Sequence, residues 1–515
     1  ISFSLRGVLF GLLSSALSAL MLQPLAAQSS AGPSQLTFNR DIAPIIFRSC
    51  SSCHRPGEAA PFSLLNYSDV KKHARQIADV VRSHTMPPWL PEPQELKFAD
   101  ELRLSDADIN HMVTWVEQGA GEGDPADLPP APKFVQGWRL GEPALVLKAE
   151  KPFILPPEGT DTYWNFIFRL PIEETKWVKA VEIRPGDKQY VHHANILVDR
   201  AGASRQRETA PGAGFGGMEI RIESQVFDPD SHLLFWKPGT VPSVEPEGMA
   251  LRLDKGTDLV LNTHLQPSGK PQVIQPSIGL YFTNHPATKF PMLLQLENDL
   301  KLDIPPGEKD FLVTDDFTLP VDVDLMAIYP HAHYLGKDIQ AHATLPDGTR
   351  KTLIHIPQWN LNWQAVYRYA EPVLLPKGTT ISLRYSYDNS DQNPMNPNHP
   401  PVRVKGGNRS TDEMCHLWLQ VLPVNFDALC RRLPTTCAMR VPSACTGTGR
   451  GAGRSSRRTP ARSKRDRLSS TARRTSSFSS SRSFWIWTLL RVIRVTSSRS
   501  STRWASCPTC RSAMA

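Results

Sequence analysis

Three groups of side chains in this 515-residue sequence have the types and spacing of metal chemistry, and a fourth has that of a haem attachment site. The first group is Tyr329-Pro330-His331-Ala332-His333-Tyr334-Leu335-Gly336-Lys337, in a run that reads as extended. Residues i and i+2 of a strand point to one face, so His331 and His333 would stand side by side as a ligand pair. The second is His192-His193 at the start of the strand-like run Val191–Val198, with His264 in the alternating run Leu259–Gln266. Adjacent strand residues face opposite ways, so His192 and His193 reach one ion only at a bend or bulge; Pro185-Gly186-Asp187 makes an irregular approach reasonable. Leu259, Leu261 and Leu265 share an apolar face, and His264 points the other way with Asn262 and Gln266. The third is Met414 in Thr411–Val421, where Cys415, Leu417, Leu419 and Val421 form the core face and Met414 lies opposite with His416 and Trp418. A thioether off the apolar face suits copper, Cu(I) above all, and neutral imidazole suits both oxidation states.

The fourth group is Cys50-Ser51-Ser52-Cys53-His54. Two thiols three apart on a helical turn meet the two vinyl groups of haem, and the next residue places an imidazole under the iron. A redox dithiol or half a zinc site uses the same cysteines, but the first has no need of the histidine and the second lacks another cysteine pair nearby. For the sixth iron ligand the sequence offers Met86, His84, His73 and Met112. Met86 is preferred, because Met86-Pro87-Pro88-Trp89 is a rigid turn able to hold a thioether against the iron, with His84 second.

These groups need elements to hold them. Phe38–Phe47 has helical spacing ahead of Cys50, and Leu104-Ser105-Asp106 opens a capped helix through Trp115 that ends at Gly119. Residues 34–124 therefore resemble a class I c-type cytochrome, which implies an all-α domain. Residues 125–145 are a proline-rich, semi-rigid linker. From 146 to 424 short alternating runs are broken by Pro, Gly and Asp roughly every ten residues, the pattern of antiparallel sandwiches. That length implies two, over 146–290 and 291–424.

The ends differ from this body. Residues 1–27 read as an export signal: Arg6, an apolar run of about 15 residues too short for a span, and Leu25-Ala26-Ala27 before Gln28. A retained anchor is the other reading, and the first residue, Ile1, leaves the true start open. The formal charge of +8 is uneven: residues 425–515 hold 18 Arg and 1 Lys against 2 Asp and no Glu, which leaves the rest at −9. The body thus gives no sign of nucleic-acid binding. The Arg/Ser-rich tail is read as an out-of-frame stretch, not a folded domain; a nucleic-acid tail, or a membrane contact at Phe484–Leu490, is the other reading. No cysteine lies between Cys53 and Cys415. His232, His285, His342, His355 and His399 are isolated and read as structural, and Trp359–Gln364 as sandwich packing.

In their order, His192-His193, His264, His331-Ala332-His333 with Leu335-Gly336-Lys337, and Asp412-Glu413-Met414-Cys415 resemble the type II copper, ascorbate-dependent monooxygenases, which include the peptidylglycine- and dopamine-hydroxylating enzymes. The resemblance covers about residues 145–424. It implies two jelly-roll sandwiches facing a solvent-filled cleft, with two copper ions. His192, His193 and His264 would hold an electron-transfer copper, and His331, His333 and Met414 the catalytic, oxygen-binding one. It departs from the family in lacking a set of disulfides, and in Tyr329, His416 and Trp418, which replace an Arg, an Asn and a Tyr of the peptide-amidating members. A peptide carboxylate is accordingly not the expected substrate, and His416 would add to or interfere with the second copper site.

The expectation is an exported, periplasmic or secreted copper monooxygenase. It would hydroxylate a C–H bond of a small-molecule or peptide-like substrate with O₂. Electrons would come from ascorbate or a redox protein through a haem c on Cys50 and Cys53, with His54 and Met86 as axial ligands. The rival expectation is a non-enzymatic electron-transfer or copper-binding protein.

Overall fold

The computed structural model describes residues 35–159, 162–217 and 232–424. The export-signal reading and the tail fall outside these residues. Among the described residues no helix is long and apolar enough to cross a membrane.

The N-terminal segment carries four α-helices of six to twelve residues: α1 (Ala43–Ser49), α2 (Tyr67–Lys72), α3 (Ala74–Arg82) and α4 (Asp106–Glu117). Ser105 caps α4, its hydroxyl accepting from the Asp108 N–H. Phe38, Ile42, Ile46, Met112 and Trp115 form a small core between the helices.

A first β unit follows: β1 (Leu145–Lys148), β2 (Phe153–Leu155), β3 (Thr162–Arg169), β4 (Lys176–Arg184), β5 (Val191–Asp199), β6 (Phe215–Gly216), β7 (Phe235–Trp236), β8 (Leu251–Leu253), β9 (Asp258–Leu265), β10 (Gln272–Ile274) and β11 (Ser277–Thr283). Its main sheets run β1-β11-β4-β8 and β6-β3-β9-β5-β7, and one core is shared by Leu147, Phe166, Phe168, Leu261, Ile278 and their neighbours.

The second β unit comprises β12 (Met292–Glu297), β13 (Asp303–Ile304), β14 (Phe311–Thr318), β15 (Val323–His331), β16 (Gly336–Thr344), β17 (Arg350–Ile356), β18 (Tyr367–Leu375), β19 (Thr380–Tyr387), β20 (Val404–Lys405) and β21 (His416–Pro423). Its main sheets are β12-β21-β15-β18 and β14-β19-β16-β17, around a second core. All strand pairs within the sheets are antiparallel.

The expected fold, an all-α cytochrome domain followed by two jelly-roll sandwiches, is corrected here. The described chain is mostly β-strand in several sheets, and its N-terminal region holds only four short helices, which do not make an all-α domain. The physical reason lies in residues 83–105. Pro87, Pro88, Pro91 and Pro93 remove backbone donors and keep this run from helix. It leaves the helices as an extended arm along the second β unit instead. Glu92 donates its N–H to His355 O at 2.9 Å, Ala99 to Arg368 O at 2.8 Å, and Ala370 donates to Lys97 O at 2.9 Å. Phe98 is buried in the second core, and Trp89, Leu90 and Leu96 pack against it.

Candidate metal centre

His192 and His193 open β5, and a register shift against β9 falls between Val191 and His193. That irregularity lets two neighbouring residues turn toward one point. Directly across, His264 pairs with His193 and with Tyr163 on either side of β9. The three histidines form a group whose ligand atoms all lie within 4.8 Å of one another. His192 Nδ1 is 3.0 Å from His264 Nδ1 and 3.2 Å from His193 Nδ1. Nitrogens bound to one ion at about 2.0 Å stand about this far apart. His192 Nε2 donates to Asn362 O at 3.0 Å, which makes its Nδ1 the unprotonated nitrogen, facing His193 and His264. β9 is buried on both faces, so the face carrying His264 is covered and not open to solvent.

The second group is built by β15 and the turn after it. His331 ends β15, opposite His416 at the start of β21. The rings of His331 and His333 are 5.1 Å apart. His331 Nδ1 lies 2.9 Å from Gln364 Oε1, and His333 Nδ1 lies 3.0 Å from Asp412 O. Both contacts fix Nδ1–H as donor and turn Nε2 outward as the ligand atom. Met414 is buried just before β21, and its carbonyl accepts from the Tyr387 hydroxyl at 2.8 Å. Between these pieces sits Glu413, fully buried, whose carboxyl accepts the backbone N–H of His333 at 2.8 Å, Leu335 at 2.6 Å and Met414 at 3.2 Å. Burial pushes this carboxyl up to about 8, and the three donors pull against that rise. His416 is held by Asp299, Nε2 to Oδ2 at 2.8 Å, and its ring is 6.2 Å from that of His331.

Burial, and then the neighbouring imidazoles, hold His193 and His331 well below the ordinary histidine range; burial lowers His333 as well. All three are neutral, the form that binds a metal. The donor set of the first group, three convergent imidazoles, fits copper; imidazoles with a buried thioether nearby fit it at the second.

One side chain joins the two groups. The Gln364 amide accepts the Tyr329 hydroxyl at 2.7 Å through the same Oε1 that meets His331, while its Nε2 lies 3.4 Å from His193 Nδ1. At this point an amide, and not a solvent-filled cleft, spans the two units. Trp359 adds to the support, its Nε1 donating to His333 O at 3.0 Å. The run Trp359–Gln364, read from sequence as packing, thus lines both groups. Gln364, Glu413 and Asn362 were missed because nothing local marks them; only the placing of a catalytic-looking histidine one hydrogen bond away does.

At the N-terminal site, Cys53 and His54 donate their N–H groups to Cys50 O at 3.2 and 3.0 Å, closing one turn. His54 Nδ1 meets Phe62 O at 3.2 Å, as in a histidine whose Nε2 is kept for a metal. Burial pushes Cys50 up to about 12 and raises Cys53. Of the residues considered for the sixth position, His73 stacks on Phe62 at 3.8 Å, Met112 is buried in the helical core, His84 is exposed, and Met86 stands at the start of the arm with its N–H on Val80 O. The histidines read as structural have such partners: His232 pairs with Glu245 at 3.1 Å, and His355 with Glu92 and Asp338 at 2.9 and 2.8 Å.

Residues 292–438 match the family model for the copper type II ascorbate-dependent monooxygenase, C-terminal domain. The match takes in the second β unit and supports an oxidoreductase role using copper, O₂ and a reductant such as ascorbate. Among curated proteins nothing matches the chain. Solved structures similar to part of it include the major capsid protein P2 of bacteriophage PM2, at 10% identity and a TM-score of 0.23 over 54% of this chain and 97% of that one. Another is the VP2 subviral particle of infectious bursal disease virus, at 8% identity and a TM-score of 0.15 over 55% and 72%. Likeness at this level carries no argument.

Proposed function

We propose that the chain is an exported copper monooxygenase that hydroxylates a C–H bond of a substrate with O₂. The observation that supports it most is the convergence of His192, His193 and His264 beside the His331–His333 pair, within reach of one amide. In this reading His192, His193 and His264 hold one copper, and His331, His333 and Met414 a second. Copper bound there supplies one-electron chemistry and O₂ activation. The chain's own part is positioning. Asn362 fixes the His192 tautomer, Asp412 and Gln364 orient His333 and His331, and Glu413 locks the turn carrying His333 to the residue before Met414. Tyr329, buried with its hydroxyl on Gln364, offers no cation to a substrate carboxylate. The Cys50–Cys53–His54 turn is read as the point where a haem c is attached, with electrons passing from it to the copper sites.

The test is metal content with oxygen uptake. The expected result is about two coppers per chain, one lost in His192→Ala/His264→Ala and the other in His331→Ala/His333→Ala. Ascorbate-driven O₂ uptake should vanish in the second pair. Copper at neither site would sink the proposal; two coppers with no uptake from any C–H substrate screened would favour the electron-transfer reading.

A further inference from the structure

A cavity of about 460 Å³ lies where the helical segment, the arm, β4, the loops around β7, and β18 meet. None of the copper-ligand candidates lines it. Its wall carries six cationic and four acidic side chains. Three of the acids, Glu58, Glu182 and Glu245, are engaged within the protein, and the fourth, Asp100, is exposed at the edge. Glu58 accepts from Arg55 at 2.7 Å, Lys188 at 2.8 Å and Arg139 at 3.4 Å. Glu182 accepts the Arg139 N–H at 2.9 Å and the Tyr281 hydroxyl at 3.2 Å, and Glu245 pairs with His232. Lys237 and Arg368 are the two wall cations that no salt bridge joins to a carboxylate among the described residues; Arg368 has the Leu233 carbonyl at 3.5 Å, and Lys237 is the one beside the Phe235 and Trp236 rings in sequence. Burial lowers its ammonium to about 8, and the one group acting against this is Cys53, itself a raised thiol. Two further wall residues, Arg55 and Trp89, have buried N–H donors (Nε and Nε1) without an acceptor. The wall therefore carries more positive than negative charge, while Trp89, Phe235 and Tyr367 supply apolar surface.

We propose that this cavity binds a small organic carboxylate, its anion at Lys237 and its apolar body against Phe235 and Tyr367. A half-buried cation gains from an anion that enters with its own charge, and the aromatic wall favours an occupant with a flat apolar part. The position has chemical meaning. The Phe235 ring stacks on the His193 ring, centroids 5.7 Å apart, so the occupant stands one ring from the histidine triad. On the other side Gly239, in left-handed backbone, lies against Cys53, where a side chain's Cβ would come within 3.1 Å of the sulfur. Two sources offer the same chemistry: a free carboxylate, or the propionate of a haem carried on Cys53.

The test uses the full chain, produced without haem-attachment machinery, at constant ionic strength. Benzoate is titrated against tryptophan fluorescence, since Trp89 and Trp236 line the cavity. Saturable binding is expected, weakened at least tenfold in Lys237→Met, retained in Lys237→Arg, and at least tenfold weaker for the neutral isostere benzamide. Circular dichroism checks that Lys237→Met is folded. Repeating the titration on haem-loaded chain separates the sources: exclusion of benzoate assigns the site to propionate, and undiminished binding to a free carboxylate. No saturable binding to the haem-free chain, equal binding by benzamide, or equal binding by Lys237→Met would overturn the proposal.

Discussion

Glu413 joins three backbone donors that come from both pieces of the second metal group, and its removal can be worked through in numbers. In Glu413→Ala the N–H groups of His333, Leu335 and Met414 lose their acceptor inside a fully buried site. Each unmet buried donor costs about 1–3 kcal/mol. A water entering the space left by the carboxyl would offset part of this, so roughly 3–6 kcal/mol is expected for the three. A domain of about 150 residues loses roughly 2–4 °C of melting temperature per kcal/mol. The transition that includes the second β unit should therefore fall by about 6–24 °C. Glutamine keeps the volume but turns an amide N–H₂ toward one donor, so Glu413→Gln should lie between parent and alanine. The assay is calorimetric melting of the copper-free chain, with Glu308→Ala on the exposed surface as control. A Glu413→Ala melt within about 2 °C of the parent would show that these hydrogen bonds do not hold the turn.

Three other outcomes are expected. Lys237→Met should stabilise the chain at pH 7 in carboxylate-free buffer. The folded ammonium is lowered from 10.5 to about 8, so the unfolded chain binds the extra proton between these values. The penalty is full below about 8 and gone above about 10.5; with partial exposure it is roughly 1–3 kcal/mol. Urea melts at pH 7 and pH 10.5 check it, and an equal gain at both would refute it. Gln364→Leu leaves the Tyr329 hydroxyl and His331 Nδ1 without their shared acceptor and should cost about 1–3 kcal/mol. It should also change the spectrum of copper at both histidine groups, and a spectrum identical to the parent's would count against the bridging role. Phe98→Ala should cost about 3–5 kcal/mol and open residues 83–105 to limited proteolysis; protection equal to the parent's would mean the arm is held elsewhere.

What the sequence made legible was local. Alternation in Leu259–Gln266 and in Cys415–Val421 marked strands, and the adjacency of His192 and His193 demanded the irregularity that β5 has between Val191 and His193. The same alternation placed His264 off the apolar face, but could not tell that this face is covered as well, leaving the histidine 1% exposed. Asp299 holding His416, Asn362 holding His192 and Gln364 spanning His193 and His331 are pairings across 117, 170 and up to 171 residues. No short-range period encodes them. The helical expectation for the N-terminal region failed at its proline-rich stretch, where the signals for a rigid ligand turn and for an extended arm are the same residues.

That arm sets the order in which the molecule can be completed. It leaves the helices early in the chain, yet its partners lie in β17 and β18: Gln94 donates to Leu353 O across 259 residues. During synthesis, Trp89, Leu90, Leu96 and Phe98 emerge long before any surface exists to receive them. Closing so distant a contact is slow, and the apolar arm stays open to wrong partners until then. The helical segment can acquire its own small core at once, and Glu58 can meet Arg139 and Lys188 of the linker and first β unit early, but the arm waits for the last third of the chain. A chain cut within the second unit would thus lose more than that unit's strands: it would leave the apolar arm without the surface that receives it.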